Sequence, residues 1–259
     1  MGSTTVPERD RYPLLSVEEA RARVMALVAP LPREEVPILD ALGCILAEDV
    51  HADRDVPPRD NSAMDGYAVR GADLVAGARR LRVIANLPAG QMLDRAVGAA
   101  EAVRIMTGAP VPPGADTVVR FEDTRATGDW VEVLEAPKPG ANVRLAGEDV
   151  RRGDVVLSAG MALRPQEIGM LASVGRTHAP VHRRPRVAIL ATGDEVAEID
   201  AEPAPGQIRN INSYSVAAQV RAAGGIPILL GIAADRTEAL TARIRGALAA
   251  GADLLVTSG

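Results

Sequence analysis

The first apolar pattern along the chain has the spacing of a helix. Ser16 followed by Glu19 matches a capping box, in which each side chain binds the backbone N–H of the other residue. The predicted helix begins there and ends before Pro30. A second helical piece is predicted over residues 40–47, and the polar residues 1–13 are predicted to be a loose tail. The apolar side chains of the first helix recur three or four residues apart: Val17, Ala20, Val24, Leu27 and Val28.

Between residues 54 and 145 the apolar runs are short, and glycine or proline separates them. This pattern is typical of strands joined by turns, and no long amphipathic helix interrupts it. The segment is therefore predicted to be a small all-β domain. Its strand candidates are residues 83–84, 103–106, 117–121 and 130–134.

A further helix is predicted after this segment. Pro165 suits a first helical position, and Gly175 suits the residue that ends a helix. This helix is expected to pack beside the N-terminal ones, so that the β domain (54–145) is an insertion into a helical domain made of residues 1–53 and 146–184. Its predicted buried face consists of Ile168, Leu171 and Ala172.

Residues 185–259 alternate apolar runs with helical patterns, and the order strand, helix, strand, helix, strand predicts a parallel sheet in an α/β domain. Because the chain stops directly after the third strand, and three strands are few for a sheet covered on both faces, the sequence predicts a fragment with an incomplete α/β domain. The predicted strands are 186–191, 227–232 and 252–256, and the predicted helices are 213–223 and 237–250. Inward positions on the second of these helices are Leu240, Ile244, Ala247 and Leu248.

Composition narrows the class of protein. The 259 residues are 47% hydrophobic and 24% charged, which excludes disordered, collagen-like and coiled-coil chains and suits about two globular domains. No apolar run approaches the ~18 residues of a membrane span, and no signal peptide is visible. The single Cys44 excludes an internal disulfide, and three scattered histidines make no zinc cluster. A net charge of −5 with 2% aromatic residues argues against nucleic acid or an anionic membrane as partner. Taken together, these features lead us to expect a cytoplasmic protein.

Three polar motifs precede the α/β segment. Residues 59–68 hold two carboxylates, an amide and a hydroxyl, which form either a turn with side chain–backbone bonds or a loop facing an ion. Residues 106–116 form either a proline-stiffened connection or a strand end whose backbone N–H groups bind an oxyanion. The adjacent acids in residues 147–150 are either solvated or hold a metal.

Polar residues also follow each predicted parallel strand, at 192–195, at Asp235 and at 257–259, and residues 210–213 lead into a helix. Each is an ordinary turn or cap residue in one interpretation. In the other, they converge because the carboxyl ends of parallel strands share one edge, where α/β folds bind ligands. Small polar residues there suit phosphate or another oxyanion, and the two acids suit Mg²⁺. No G-x-G-x-x-G follows a strand, so no hydride cofactor is indicated.

Taken together, these motifs resemble the molybdopterin molybdenumtransferase family, which includes the bacterial MoeA proteins and the E domain of gephyrin. The resemblance covers nearly the whole chain, and the string DNSAMDGYAV is long and specific. The matching strings are DVPPRDNSAMDGYAVR at 55–70, RIMTGAPVPPGAD at 104–116, GEDV at 147–150, RVAILATGDEV at 186–196 and ADLLVTSG at 252–259.

The resemblance implies a multidomain α+β and α/β fold. A helical domain with an inserted small β domain is followed by an incomplete three-layer α/β domain with a parallel sheet, of the molybdopterin-binding type, and the family's C-terminal β domain is absent. Family members insert molybdenum from molybdate into adenylylated molybdopterin and release AMP, with help from Mg²⁺. They form elongated homodimers whose site lies between the α/β domain of one chain and the β domain of its partner. A molybdopterin adenylyltransferase is the expected pathway partner.

The resemblance also implies which residues form the site. Asp65 and Thr107 are expected to line it from the β domain and Asp149 from the returning segment, as groups that orient the substrate by hydrogen bonds. Glu195 and Asp235 are expected as direct or water-mediated Mg²⁺ ligands. The residues expected to bind the molybdopterin substrate are Ser62, Thr192, Gly193, Asp194, Asn212, Thr257, Ser258 and Gly259.

Two alternatives to the enzyme remain at the level of sequence. A gephyrin-like scaffold would bind a protein segment in a groove that also needs the absent C-terminal domain. A catalytically incomplete fragment would fold and dimerise without activity. Release of AMP distinguishes the enzyme from both.

Overall fold

The structure is a computed structural model that describes residues 14–259, so the predicted tail at 1–13 lies outside the described residues. The described chain divides into two compact units. The first unit contains the residues up to 36, together with 40–47 and 180–259. The second unit contains residues 37–39 and 48–179.

Five α-helices lie along residues 14–259: α1 (Val17–Ala26), α2 (Gly71–Val75), α3 (Pro165–Ser173), α4 (Asn212–Ala222) and α5 (Thr237–Ala249). The strands of the first half are β1 (Arg33–Pro37), β2 (Ile45–Leu46), β3 (Val50–His51), β4 (Asn61–Ser62), β5 (Gly66–Val69), β6 (Arg80–Leu87), β7 (Glu101–Ile105), β8 (Thr117–Arg120) and β9 (Thr124–Thr127). Those of the second half are β10 (Trp130–Val133), β11 (Val143–Arg144), β12 (Val155–Leu157), β13 (His178–His182), β14 (Arg186–Thr192), β15 (Val196–Ala197), β16 (Ile208–Arg209), β17 (Ile226–Ala233) and β18 (Leu254–Ser258).

The first unit is organised around a three-stranded parallel sheet in the order β17-β14-β18. The central strand β14 pairs with both neighbours, so that Ala188 lies opposite Ile228 on one side and Leu255 on the other. Residues 187–191 of this strand are buried, as expected for a continuous apolar run covered on both faces. The predicted order of strands and helices in this segment is confirmed.

One inward position predicted on α5 is wrong. Ala247 is buried, but Leu248 keeps 65% of its surface exposed. Leu248 shares a shallow apolar depression with Leu254 of β18, which is itself 56% exposed. Because β18 is an edge strand of the described sheet, only one side of it is covered by a neighbouring strand.

The second unit contains a six-stranded sheet in the order β8-β5-β7-β6-β10-β9. The four strands predicted for this segment are present as β6, β7, β8 and β10. Strand β5 was not predicted, because it overlaps the end of the polar 59–68 motif and begins with a glycine. That glycine is needed there, since a Cβ on Gly66 would lie 2.1 Å from the carbonyl oxygen of Val119 on β8.

Helix α3 of the second unit begins at Pro165 and is followed at its end by Gly175, whose φ is +73°, as predicted. Leu171 is fully buried and Ile168 is half-buried, but Ala172 is exposed, against the predicted inward face. Helix α1 belongs to the first unit and α3 to the second. A helical domain assembled from both therefore stays a prediction.

The helix predicted over residues 40–47 is wrong. Residues 38–43 form turns, Gly43 adopts a left-handed φ of +76°, and β2 follows at Ile45–Leu46. The backbone of β2 pairs antiparallel with β13, with Leu46 opposite Val181. The apolar residues of this short segment therefore belong to a strand. Its pairing partner is distant in the sequence, so local spacing does not reveal the strand.

Helix α1 has the predicted capping box. Ser16 N donates to the Glu19 carboxylate at 2.9 Å, and Glu19 N donates to Ser16 Oγ at 3.1 Å. Its apolar stripe is nevertheless not covered by any of the residues the structure describes, since no residue of α1 is buried. The capping signal therefore predicted the start of the helix, whereas the apolar spacing did not predict burial.

The start of α3 supplies a test of stability. Glu167 accepts hydrogen bonds from the Arg164 guanidinium at 2.7 Å and from Arg164 N at 2.9 Å, and these bonds, the guanidinium one first, lower the pKa of Glu167 from 4.5 to about 2. A depressed carboxyl pKa stabilises the folded state above pH 4.5, and that contribution is lost as pH falls towards 2. We expect Glu167→Gln to lower the urea midpoint at pH 7, and the difference from the unsubstituted chain to shrink below pH 4.5. A difference that is independent of pH, or one reproduced by Asp94→Asn at an exposed site, would contradict this assignment.

Candidate functional site

Two motifs of the second unit are joined through their backbones. Ser62 N donates to Ala109 O at 2.9 Å, and Gly108 N donates to Ser62 O at 2.8 Å. Gly108 has a φ of +81°, which glycine adopts without strain at such a turn. The 59–68 motif and the 106–116 motif therefore lie against each other, as one polar surface.

Asp65 and Thr107 are the centre of this surface. Oδ1 of Asp65 accepts two hydrogen bonds from Thr107, one from the backbone N and one from Oγ1, each 2.7 Å long. These bonds, the backbone one first, lower the pKa of Asp65, and the nearby Arg104 adds a smaller effect. Asp65 is thus held in one orientation and kept ionised, although both side chains are exposed to solvent.

The segment carrying Asp149 lies beside the same motif. Strand β11 pairs antiparallel with β4, and Asp60 Oδ1 accepts a bond from Ala146 N at 2.8 Å. Asp149 receives the guanidinium of Arg144 at 2.6 Å to each carboxylate oxygen. Asp149 is therefore not a bare anion but half of an exposed ion pair, which orients its carboxylate.

Ser62 occupies a different position from the one expected of a substrate-binding group. It is 1% exposed, and its hydroxyl donates to the carbonyl of Met64 at 2.5 Å. Its hydroxyl is engaged with the local backbone and stabilises the turn that presents Asp65. The structure thus gives Ser62 a local role, and binding of a substrate by this residue stays a prediction.

In the first unit, a cavity of about 190 Å³ lies at the carboxyl end of the parallel sheet. Helix α4 begins on its wall at Asn212, so the positive end of the helix dipole and the N–H groups of its first turn are placed at the cavity. Five of the predicted site residues line it: Thr192, Glu195, Asn212, Ser258 and Gly259.

Glycines shape the cavity wall. Gly193 has a φ of +126°, and a Cβ there would meet the carboxylate oxygens of Glu195 at 2.5 and 2.7 Å. A Cβ on Gly259 would fall on Thr192 Oγ1. The Glu195 carboxylate occupies the space that a side chain at position 193 would need, and the Thr192 hydroxyl occupies the space at position 259. The two glycines therefore allow both polar groups to lie against the backbone at the strand ends.

One hydrogen bond joins the two sides of the cavity. Asn212 Nδ2, at the start of α4, donates to Ser258 Oγ, at the end of β18, over 2.8 Å. The two residues are 46 positions apart in the sequence. The bond therefore sets the distance between the helix terminus and the strand end.

This bond gives a second test. We expect Asn212→Ala to destabilise the chain by about 0.5–1 kcal/mol, the usual net worth of one exposed hydrogen bond. Ser258→Ala should cost a similar amount, and the double variant should cost no more than either single one, because both remove the same bond. Denaturant unfolding of the four proteins measures the coupling. Strictly additive losses would show that the two side chains do not act together.

Other predicted residues are not on this wall. Asp194 is exposed in the turn after β14, where its carbonyl accepts a bond from Gln207 Nε2 at 3.3 Å. Asp235 is exposed in the connection between β17 and α5. Gly193 and Thr257 adjoin lining residues in the sequence but are not themselves lining residues. The structure thus groups five of the predicted residues and leaves these four outside the cavity wall.

The cavity residues fit Mg²⁺ only if water and phosphate oxygens supply the rest of its ligands. Among residues 14–259, no three or more histidine, cysteine, aspartate or glutamate side chains are grouped to hold a metal. Mg²⁺ needs only one or two protein carboxylates when water and phosphate oxygens complete its shell. Glu195, with the hydroxyls of Thr192 and Ser258 on the same wall, is a donor set of that kind.

Sequence reasoning missed Arg209 of the wall, and it treated Asn210 only as part of the 210–213 motif, without naming it as a binding residue. Strand β16 carries Arg209 and pairs in parallel with the equally short β15. Asn210 is 3% exposed, and its Oδ1 accepts a bond from Ser213 N at 3.2 Å, which caps the start of α4. An asparagine before a helix was a readable capping signal, but two-residue strands carry no periodicity that a sequence pattern could show.

The geometry favours binding of anionic groups over nucleophilic catalysis. The cavity combines hydroxyls, two amides, a helix N-terminus and Arg209 with a single carboxylate, a mixture that suits phosphate or another oxyanion.

No helix of residues 14–259 has both the length and the apolar character needed to cross a membrane.

Known proteins share this chain's sequence and fold. Residues 15–175 match the family described as the MoeA N-terminal region (domain I and II), and residues 188–259 match a probable molybdopterin binding domain. A molybdopterin molybdenumtransferase of a Nostoc species is 40% identical over 99% of this chain, which spans 60% of that protein. One from Bacillus subtilis is 37% identical over 95% of this chain and 59% of its own length.

A solved structure agrees with these relatives. The molybdopterin biosynthesis MoeA protein of Pyrococcus horikoshii matches with a TM-score of 0.84 at 35% identity, over 95% of this chain and 64% of that one. The chain thus spans about 60% of the length of the curated relatives it matches. Since the first family match alone covers more than half of the chain, the protein belongs to the MoeA family.

Proposed function

We propose that this chain forms part of a molybdopterin molybdenumtransferase, which inserts molybdenum from molybdate into adenylylated molybdopterin and releases AMP. The cavity at the carboxyl end of the parallel sheet carries the proposal. Thr192, Glu195, Asn212 and Ser258 meet there beside the N-terminus of α4. That set suits the pyrophosphate link of an adenylylated pterin, whose negative charge a helix N-terminus stabilises.

The residues of the cavity have separate roles in this proposal. The hydroxyls of Thr192 and Ser258 and the amide of Asn212 orient the phosphate oxygens. Glu195 is the carboxylate of the wall that would hold Mg²⁺, whereas Asp235 lies off the wall and stays a predicted ligand. When bound, the ion offsets the negative charge of the phosphate oxygens and of the leaving AMP. Asp194, Gly193, Thr257 and Gly259 shape the strand-end turns.

Asp65 and Thr107, together called the Asp65 cluster, are proposed to orient the reacting oxyanion. The two hydrogen bonds from Thr107 hold the Asp65 carboxylate in one rotamer, and Arg144 does the same for Asp149. Oriented acceptors of this kind position a substrate without reacting with it. In the homodimer that we propose, this cluster of one chain faces the cavity of its partner, and a cytoplasmic molybdopterin adenylyltransferase supplies the substrate.

Turnover tests the proposal. The purified protein is incubated with adenylylated molybdopterin, Mg²⁺ and molybdate, and AMP is quantified by chromatography while molybdenum is followed by activation of an apo-molybdoenzyme. We expect AMP release that requires molybdate, with one AMP per molybdenum inserted. AMP release without molybdate, or none at all with every component present, would contradict the proposed function.

A further inference from the structure

A sheet face brings an arginine of unassigned role to the Asp65 cluster. In the antiparallel pair of β5 and β7, Tyr67 lies directly opposite Arg104, so both side chains share one face of the sheet. Asp65 lies in the bend directly before β5, and its carboxylate accepts bonds from Thr107, three residues after Arg104. The end of β7 therefore places Arg104 near Asp65.

An aromatic ring positions the guanidinium. Arg104 Cζ lies 5.0 Å from the centroid of the Phe121 ring, and Phe121 in turn packs edge-on against Tyr67 at 5.3 Å. Phe121 N donates to the carbonyl of Asp65 at 3.2 Å, so the ring stands beside the cluster. A cation over an aromatic face is attracted to it and loses rotamer freedom. Arg104 is therefore oriented without using its N–H donors.

The charge of Arg104 is not neutralised by a carboxylate. Several other arginines of this unit have a carboxylate within 3.0 Å: Arg82, Arg95, Arg120, Arg144 and Arg164. Arg104 forms no ion pair within 4.0 Å among residues 14–259, and it is exposed. Its electrostatic influence still reaches Asp65, whose pKa it helps to lower. The guanidinium is thus charged, oriented and open to solvent beside an anionic cluster.

We propose that Arg104 binds the tetrahedral oxyanion that enters the Asp65–Thr107 cluster, with molybdate as the ligand. The inference rests on the proposed function, because it assigns the anion to that site. The exposed Asp65 carboxylate would repel a dianion unless a cation were present, and Arg144 is already paired with Asp149. A planar guanidinium with five donors and a permanent charge suits a tetrahedral oxyanion.

Titration calorimetry with sodium molybdate tests the proposal on the full chain. We expect Arg104→Gln to weaken molybdate binding at least about 10-fold, the loss of one charge-assisted contact. Arg104→Lys keeps the charge but not the planar stacking, so it should bind with an intermediate affinity. The matched control is Arg80→Gln, because Arg80 lies 4.7 Å over the ring of Trp130 on the same sheet but away from the cluster. It should change the affinity less than about twofold.

A parallel titration with AMP identifies the source of the oxyanion. A loss for molybdate with unchanged AMP binding supports the proposal as stated, and a loss for AMP alone assigns Arg104 to a phosphoryl group instead. Equal binding by Arg104→Gln and the unsubstituted chain, an equal loss in Arg80→Gln, or no measurable molybdate binding would overturn it. Circular dichroism confirms that the variants fold, and Arg104→Lys gives the answer if the glutamine variant does not. Failure of turnover with Arg104-dependent binding intact would refute the proposed function alone.

Discussion

Asp65→Ala is expected to lower molybdenum insertion about 100-fold while leaving the fold intact. The carboxylate is held by two 2.7 Å bonds from Thr107, and removing it releases the loop that orients the reacting group. Misplacement of a reacting group by about 1 Å costs on the order of 10²-fold in rate. Because Asp65 is exposed, its loss should change the melting temperature little. AMP release under saturating molybdate and thermal unfolding are the two measurements.

Two variants separate orientation from charge. Asp65→Asn keeps an oxygen that accepts from Thr107 but loses the charge, so we expect a loss of about tenfold, equivalent to about 1.4 kcal/mol of transition-state stabilisation. Asp94→Ala removes an exposed carboxylate of the same unit and should leave turnover unchanged. Equal activity of Asp65→Ala and Asp94→Ala would show that the Asp65–Thr107 pair is only a surface turn.

Asp253→Asn is expected to destabilise the first unit by about 2–3 kcal/mol, the cost of losing hydrogen bonds between charged groups. Asp253 accepts from Arg183 Nη1 and Nη2 at 2.7 and 2.5 Å and from Arg186 N at 2.8 Å. Its own N–H donates to Arg186 O at 2.8 Å, so one residue joins the beginnings of β14 and β18. Equilibrium unfolding in urea measures the loss.

The dependence on pH identifies the cause. The side-chain bonds from Arg183 have the largest effect and, with the bond from Arg186 N, lower the pKa of Asp253 from 3.8 to about 2. The stabilisation is therefore complete above pH 3.8 and is lost as pH falls towards 2. Asp200→Asn, at an exposed position of the same unit, is the control and should be neutral. Equal stability of Asp253→Asn and the control at pH 7 would show that the bonds of Asp253 to Arg183 and Arg186 contribute nothing to the free energy of unfolding.

Sequence patterns predicted the elements whose determinants are local. The capping box of α1, the proline at the start of α3 and the glycine after its end are signals contained within a few residues, and each is present in the structure. The buried strand β14 was readable for a similar reason, because a strand covered on both faces must be apolar at successive positions. The family resemblance likewise rested on continuous strings of residues.

Distant pairing decided what the sequence left open. The segment 40–47 has helical spacing over one turn, yet β2 within it pairs with β13, and the backbone hydrogen bonds gained there outweigh a weak local preference. The apolar stripe of α1 is the converse case, since its helix forms without burial by the described residues. In both segments, the spacing of apolar residues showed which side chains lie on one face, but not which part of the protein, if any, packs against that face.

For the candidate site, the sequence alone determined which residue types are present and that the strand ends of a parallel sheet share an edge. Only the tertiary structure decided which of them meet. It brings Asp65 into hydrogen-bond contact with Thr107, 42 positions away, and Asn212 with Ser258, 46 positions away. It leaves Asp235 outside the cavity wall. It also left Arg104 without an ion pair among residues 14–259, whereas Arg144 found Asp149. The physical reason is that hydrogen bonds and ion pairs depend on distances of about 3 Å, and the register of strands and turns sets those distances.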